Sequence, residues 1–325
     1  MRKKFKIYAI YILILLINIY AKGQTINVYD QYYLHNELAN PAFTGLELFP
    51  IFNFSYKKQW ISIPNSPSVQ ILSYSQRFDV YDFYTPKSYL NKSRIKSKGR
   101  TGLGALMYSN TEGPLATIGS HFKYAYHLPL NKAKLSFGGS ISLNQSSLKQ
   151  WQFEPSDPND PILNYKVDKI FYSGIDAGIL YSTDELFAGI SFPEFLKLGS
   201  NLPNRFETEK TNFIITSGYL YIINKTYSFE PAIFVYRNAL TEIEWELYSK
   251  LYLKEHWFSL AFNYKNNVKG YVSFKFNKLY FGYCYTYLLS KISTFKPGNH
   301  QFFIGLNIGV KRDEKEGENF ISIFK

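Results

Sequence analysis

Residues 268–288, VKGYVSFKFNKLYFGYCYTYL, constrain the fold of this chain more than any other stretch. Val268, Gly270, Val272, Phe274 and Phe276 fall on one face, with Lys269, Tyr271, Ser273 and Lys275 on the other. Past Asn277 and Lys278 the pattern restarts. Leu279, Phe281, Tyr283, Tyr285 and Tyr287 oppose Tyr280, Gly282, Cys284 and Thr286. Side chains along a strand alternate between faces, so this reads as two strands joined by a hairpin-length turn.

The same period runs upstream. Phe258, Leu260 and Phe262 alternate with Trp257, Ser259 and Ala261; Phe122, Tyr124 and Tyr126 alternate with His121, Lys123 and Ala125. Strands are expected at 49–58, 68–78, 100–109, 116–128, 133–145, 171–182, 185–192, 212–222, 227–237, 242–253, 255–264, 268–276, 279–288 and 299–309. Many are long enough to cross a bilayer at a tilt. One set of connections is short, while 79–99, 146–169 and 193–210 are long, as expected of extracellular loops. An open sheet edge in lipid would leave N–H and C=O groups unpaired, so the sheet must close. The expected fold is all-β: a transmembrane antiparallel outer-membrane β-barrel of about fourteen strands, with both termini on the periplasmic side. Aromatic residues make up 19% of the chain, with 29 Tyr and 28 Phe, which suits interface girdles. Small and polar residues are expected to line the lumen, and aromatics to face lipid.

The N-terminus reads as a secretory signal peptide. Arg2, Lys3, Lys4 and Lys6 precede an apolar run from Ile7 to Ile19, and Ala21 and Gly23 suit cleavage before Gln24. Removing residues 1–23 removes five basic residues and no acid, taking the formal charge from +12 to +7. The remaining Lys and Arg are dispersed, except in NKSRIKSKGR (91–100), which argues against nucleic acid as a partner. That run reads as a solvated loop, or as a contact for anionic lipid or an acidic partner. A lone cysteine, Cys284, rules out an intramolecular disulfide. The expected organisation is a leader at 1–23, a periplasmic N-terminal segment at 24–48, the barrel at 49–309 and a charged tail at 310–325.

The segment QYYLHNELANPAFTG (31–45) is too irregular to suggest a helix. Asn40, Pro41 and Gly45 are turn residues, so it is ordered without strands. It is either a lead-in packed on the barrel mouth or a plug or docking segment anchored by Tyr32, Tyr33 and Phe43. Gln59 and Trp60 mark the far end of the first strand and read as interface anchors. Glu242, Glu244 and Glu246 share an inward face, as do Lys123, Lys250, Lys269 and Lys275 on their strands. Confined like charges repel unless paired. The strip is therefore a salt-bridge network, a cation path or a cargo-binding strip. His121 and His127 share a face, but no GxSxG and no distinctive nucleophile accompany them, so catalysis is not expected. No HxxxH or CxxC spacing points to a metal, and no cofactor is expected. DPNDP (157–161) reads as turn chemistry first and as a Ca²⁺-assisted loop second.

NPAFTG (40–45) follows QYY; then come YKKQW (56–60), PNSPSVQ (64–70), GLGALMYSNTEGP (102–114) and YAYHLPL (124–130). DPNDP, GISFPEFL (189–196), FGYCYTYLLS (281–290) and GNHQFFIGL (298–306) complete the series. In this series the chain resembles the PorP/SprF family of outer-membrane proteins of type IX secretion and gliding motility. Family members often carry an acid after the closing His, where Gln301 stands, and another where Thr286 stands. The resemblance implies a non-enzymatic barrel that helps export or anchor a large adhesin-like cargo through the cargo's C-terminal domain. It also implies links to periplasmic, peptidoglycan-associated components. The competing reading is a porin-like channel for small solutes, with the Glu strip setting selectivity.

Overall fold

The computed structural model describes residues 31–308, apart from 33, 48, 62, 64, 80–99, 114, 149–168, 200–212, 225, 238–242, 255, 264–266 and 290–297. A one-turn helix, α1 (Asn36–Ala39), and a 3-10 turn (Pro41–Phe43) precede the sheet. The strands are β1 (Ile51–Gln59), β2 (Ser68–Asp79), β3 (Arg100–Glu112), β4 (Leu115–Leu130) and β5 (Ala133–Leu148). Then follow β6 (Lys169–Ser182), β7 (Leu186–Gly199), β8 (Phe213–Tyr219), β9 (Tyr221–Ile222) and β10 (Tyr227–Arg237). The last are β11 (Ile243–Leu253), β12 (His256–Asn263), β13 (Asn267–Phe276), β14 (Leu279–Leu288) and β15 (Asn299–Asn307).

Every neighbouring pair is antiparallel, and β15 pairs with β1, so the sheet closes. β8 and β9 both pair with β10 and form one stave broken at Leu220, whose amide donates to the Glu185 carbonyl at 2.7 Å instead of joining the ladder. The segments therefore make a closed barrel of fourteen staves. Among the described residues no helix is long and apolar enough to cross a membrane. The expected alternation is present: on β4, Ile118 and Phe122 are more than half exposed on the outer face, whereas His121, Lys123 and His127 are buried within.

Several features differ from the sequence reading. The segment judged too irregular for a helix holds the single turn α1. β7 runs on to Gly199, where a loop was expected from 193. Pro193 is tolerated because the β6–β7 ladder shifts register between Ile175 and Ala177, and the Asp176 carboxylate accepts the following Glu194 amide at 2.7 Å. The long connections also do not share one end. Ile51 pairs with both Ser75 and Asn307, so β1 begins at the rim where β2 and β15 end. Direction reverses at each strand, so β2 ends and β3 begins at this entry rim, among the short turns, whereas β5 and β7 end and β6 and β8 begin at the opposite rim.

The lumen is not simply polar. Phe234, Tyr236, Tyr248, Tyr252, Tyr271 and Phe303 point inward and are buried, correcting the expectation that aromatics face lipid alone. They fill a narrow bore together with the N-terminal segment, and bulky rings are the side chains that can reach across it.

Candidate functional site: the filled lumen

Residues 31, 32 and 34–46 sit inside the ring and meet its wall on opposing sides. Tyr32 lies flat on Phe234 of β10, with centroids 3.7 Å apart, and its hydroxyl donates to Glu246 Oε1 of β11 at 3.1 Å. Across the bore, His35 bonds to Ser55 of β1 at 2.8 Å through Nε2 and to Ser73 of β2 at 2.9 Å through Nδ1. Ser55 donates its own proton to Gln31 Oε1 at 2.6 Å, so it accepts from Nε2–H, and Nδ1 accepts from Ser73. Gln301 Nε2 donates to the same Gln31 oxygen at 3.0 Å. His35 is fully buried, and that burial pushes its pKa down to about 4, so the ring is neutral at pH 7.

The NPAFTG segment lies on backbone. Asn40 Nδ2 reaches the carbonyls of Ile179 (3.1 Å) and Ile190 (3.3 Å) on β6 and β7, while its Oδ1 accepts the Ala42 amide at 2.9 Å and caps the 3-10 turn. Ser191 donates to the Ala39 carbonyl, Lys123 to the Glu37 carbonyl and His127 Nε2 to the Thr44 carbonyl, the last at 3.0 Å. The approach is close because the wall lacks side chains there. A Cβ on Gly178 would fall 2.1 Å from Asn40 Oδ1, and one on Gly102 would fall 1.9 Å from the Thr44 oxygen. Gly45 takes φ +68°, and a Cβ there would sit 2.4 Å from the Gly102 Cα, so glycine is needed twice over. Phe43 meets Phe187 edge-on at 6.1 Å.

Several of the inward charged residues are bonded to one another or to tyrosines. Glu246 bonds to Lys269 at 2.6 Å as well as to Tyr32. Glu244 accepts from Tyr236. Lys250 lies 3.9 Å from Glu230, which also accepts from Tyr252 at 2.8 Å. Lys275 is only half-buried near the entry rim. Gln59 has its side chain on the inner face, 3% exposed, which does not suit an anchor in lipid; Trp60 beside it turns through φ +45°. Tyr33 and Glu242 lie outside the described residues, as do 91–99, DPNDP, the leader and the tail. Glu230, Asp176 and the wall glycines were not singled out from the sequence. Glu230 carries the inward period of its strand, and the same count would have found it.

His121 approaches Asp176 at 3.3 Å, and Ser140 also bonds to that carboxylate. The serine thus gives its proton to the acid and not to the imidazole, so the cluster holds no nucleophile–base pair. Its connections are structural: Asp176 ties β4, β5 and the β7 bulge together.

A family model described as type IX secretion system membrane protein PorP/SprF matches residues 21–306. No curated protein matches the chain. Similar solved structures include outer membrane phospholipase A from Escherichia coli, with 9% identity, 80% of this chain and 93% of that chain covered, and a TM-score of 0.38. CdiB from Acinetobacter baumannii has 9% identity, covering 79% of this chain and 60% of that one, with a TM-score of 0.38. A mutant Rh. blastica porin has 8% identity, 80% and 98% coverage, and a TM-score of 0.32.

Proposed function

The chain belongs to the PorP/SprF family of type IX secretion membrane proteins, and on that premise we propose that it is a non-enzymatic anchor for a large secreted surface protein. It is an outer-membrane barrel with a role in type IX secretion. In our reading its cargo is adhesin-like and is held through the cargo's C-terminal domain. The opposite rim, where β5 and β7 end, faces outward and receives that domain. The entry rim couples to periplasmic, peptidoglycan-associated components.

The observation that carries this reading is the filled bore. A diffusion channel needs an open path, whereas here the chain's own residues 31–46 bond across the lumen from β1 and β2 to β6, β7, β10 and β11. The paired Glu and Lys residues act as braces for that filling in place of a selectivity strip. The test is an affinity pull-down of tagged protein from gently solubilised outer membrane, with mass spectrometry of what stays bound. A large secreted protein and periplasmic type IX components, absent from a control barrel, support the anchor. A partnerless barrel that conducts steadily in bilayers would overturn it in favour of a porin-like channel.

A further inference from the structure

A small cavity of about 40 Å³ lies between the lumen segment and the entry-rim ends of β1 and β2. Glu37 and Glu47 line it from the segment, and Asn53 and Ser75 from the wall. Glu37 is only 8% exposed, yet among the described residues its Oε1 has no hydrogen-bond partner. A buried carboxylate oxygen left in that state is costly, so a missing partner is expected there. No Lys, Arg, His or Cys stands among the described lining residues. Lys123 and Lys250 act on Glu37 and Glu47 from outside the lining, and Lys123 donates to the Glu37 backbone carbonyl. On the wall, Asn53 Oδ1 accepts from the Tyr280 hydroxyl and Ser75 Oγ accepts the Gly45 amide at 2.8 Å. Each of these oxygens keeps a lone pair.

We propose that this cavity is a Ca²⁺ site that staples the lumen segment to β1 and β2. Three features select that ligand. The side-chain oxygens that line it are hard donors, and Ca²⁺ takes about six to eight oxygens in irregular geometry, with water completing the set. Mg²⁺ demands a near-ideal octahedron, which donors from three separate elements do not supply. The volume has room for an ion with one or two waters, whereas a Lys or Arg side chain reaching in from a partner would bring a bulky stem. Burial and the neighbouring Glu37 push the Glu47 carboxyl up to about 8. A water would give Glu37 a donor but leave the two acids crowding each other; a dication relieves both. The bound ion would join residues of the segment to residues of the wall, so its occupancy would set how firmly the bore stays filled. This does not depend on what the barrel anchors.

The experiment titrates CaCl₂, and separately MgCl₂, into the EDTA-stripped full-length barrel in phosphatidylcholine nanodiscs, by calorimetry. Ca²⁺ should bind more tightly than Mg²⁺ and lose at least about tenfold in affinity in Glu37→Gln/Glu47→Gln. Glu112→Gln/Glu185→Gln removes the same charge elsewhere and should keep affinity within about twofold. Heat-modified mobility on gels confirms that each variant is folded. A second readout needs no variant: with Ca²⁺ at about a hundred times its Kd, hydrogen-exchange protection over 36–46 should rise about a hundredfold. No Ca²⁺ uptake would mean that water alone meets Glu37, and equal losses in both double variants would mean diffuse attraction to surface acids. Uptake without added protection would put the ion elsewhere, and Mg²⁺ binding as tight as Ca²⁺ would remove the choice of ion. Each of these overturns the proposal. No cargo or partner is present, so the result stands apart from the pull-down that tests the anchor.

Discussion

A Cβ placed on Gly138 would lie 2.2 Å from the amide nitrogen of Ala42, so wall and filling meet backbone to backbone. Gly138→Val should therefore expel residues 31–46 while leaving the strand ladder of β5 intact. Overpacking of this kind costs about 1–3 kcal/mol where neighbours can yield, and more where backbone is struck. Gly270→Val is the control, because a Cβ there meets nothing nearer than 4.0 Å. Planar-bilayer recordings should show conductance appearing in the first variant alone. A silent, folded Gly138→Val barrel would mean that the segment does not close the bore.

Asn40 acts with both ends of its amide: Nδ2 donates to two strand carbonyls, and Oδ1 caps the following turn. Asn40→Ala should loosen the segment by about 1–3 kcal/mol through lost bonds. Asn40→Asp keeps the cap acceptor but sets a carboxylate against two carbonyl oxygens, so it should do at least as much damage. Hydrogen-exchange protection over 36–46 reads both. Native-like protection in Asn40→Asp would contradict the amide's donor role.

The strands were legible because a barrel in lipid enforces the period of two on every residue: on β13, Lys269, Tyr271 and Ser273 are buried between Val268, Val272 and Phe274, as alternation requires. The site was legible only in part. Tyr32 and Asn40 were visible as unusual residues, yet nothing local says that Tyr32 will meet Glu246, more than two hundred residues on. Gly138 and Gly178 are unremarkable as single letters on an inward face. Their role appears only when a second backbone is laid against them. Likewise, a strand running through Pro193 is not legible locally, because the Asp176 carboxylate that takes over the next amide lies on a neighbouring strand.

Lys269 and Glu246 form a buried ion pair at the filled bore, each below 5% side-chain exposure and 2.6 Å apart. A buried pair is weak evidence of net stability, but halving it is severe. Lys269→Met should cost about 3–5 kcal/mol by stranding the carboxylate. Glu246→Gln/Lys269→Met should recover much of that, since the amide still accepts from Tyr32. Urea midpoints of the purified barrel check the ordering. Equal midpoints for the single and double variants would show that the carboxylate is solvated or otherwise neutralised.

The neutral, buried His35 makes the hold on the lumen segment pH-dependent, with a sign fixed by its lowered pKa of about 4. Released into water, the ring titrates near 6.5, so between 6.5 and 4 the released state binds more protons than the docked one. Docking is therefore complete above about pH 6.5, weakens as pH falls through that window and levels off below about 4, a total of about 3 kcal/mol. Glu47, raised to about 8 by burial and by Glu37, pulls the opposite way, tightening as pH falls from 8. The His35 share is isolated by comparing the chain with His35→Gln, whose amide can still donate to Ser55 but does not titrate. From pH 7.5 to pH 5, intrinsic-rate-corrected protection over 36–46 should fall about thirtyfold more in the unaltered chain than in the variant. Parallel profiles would place His35 in contact with water and remove it as the proton-sensitive latch.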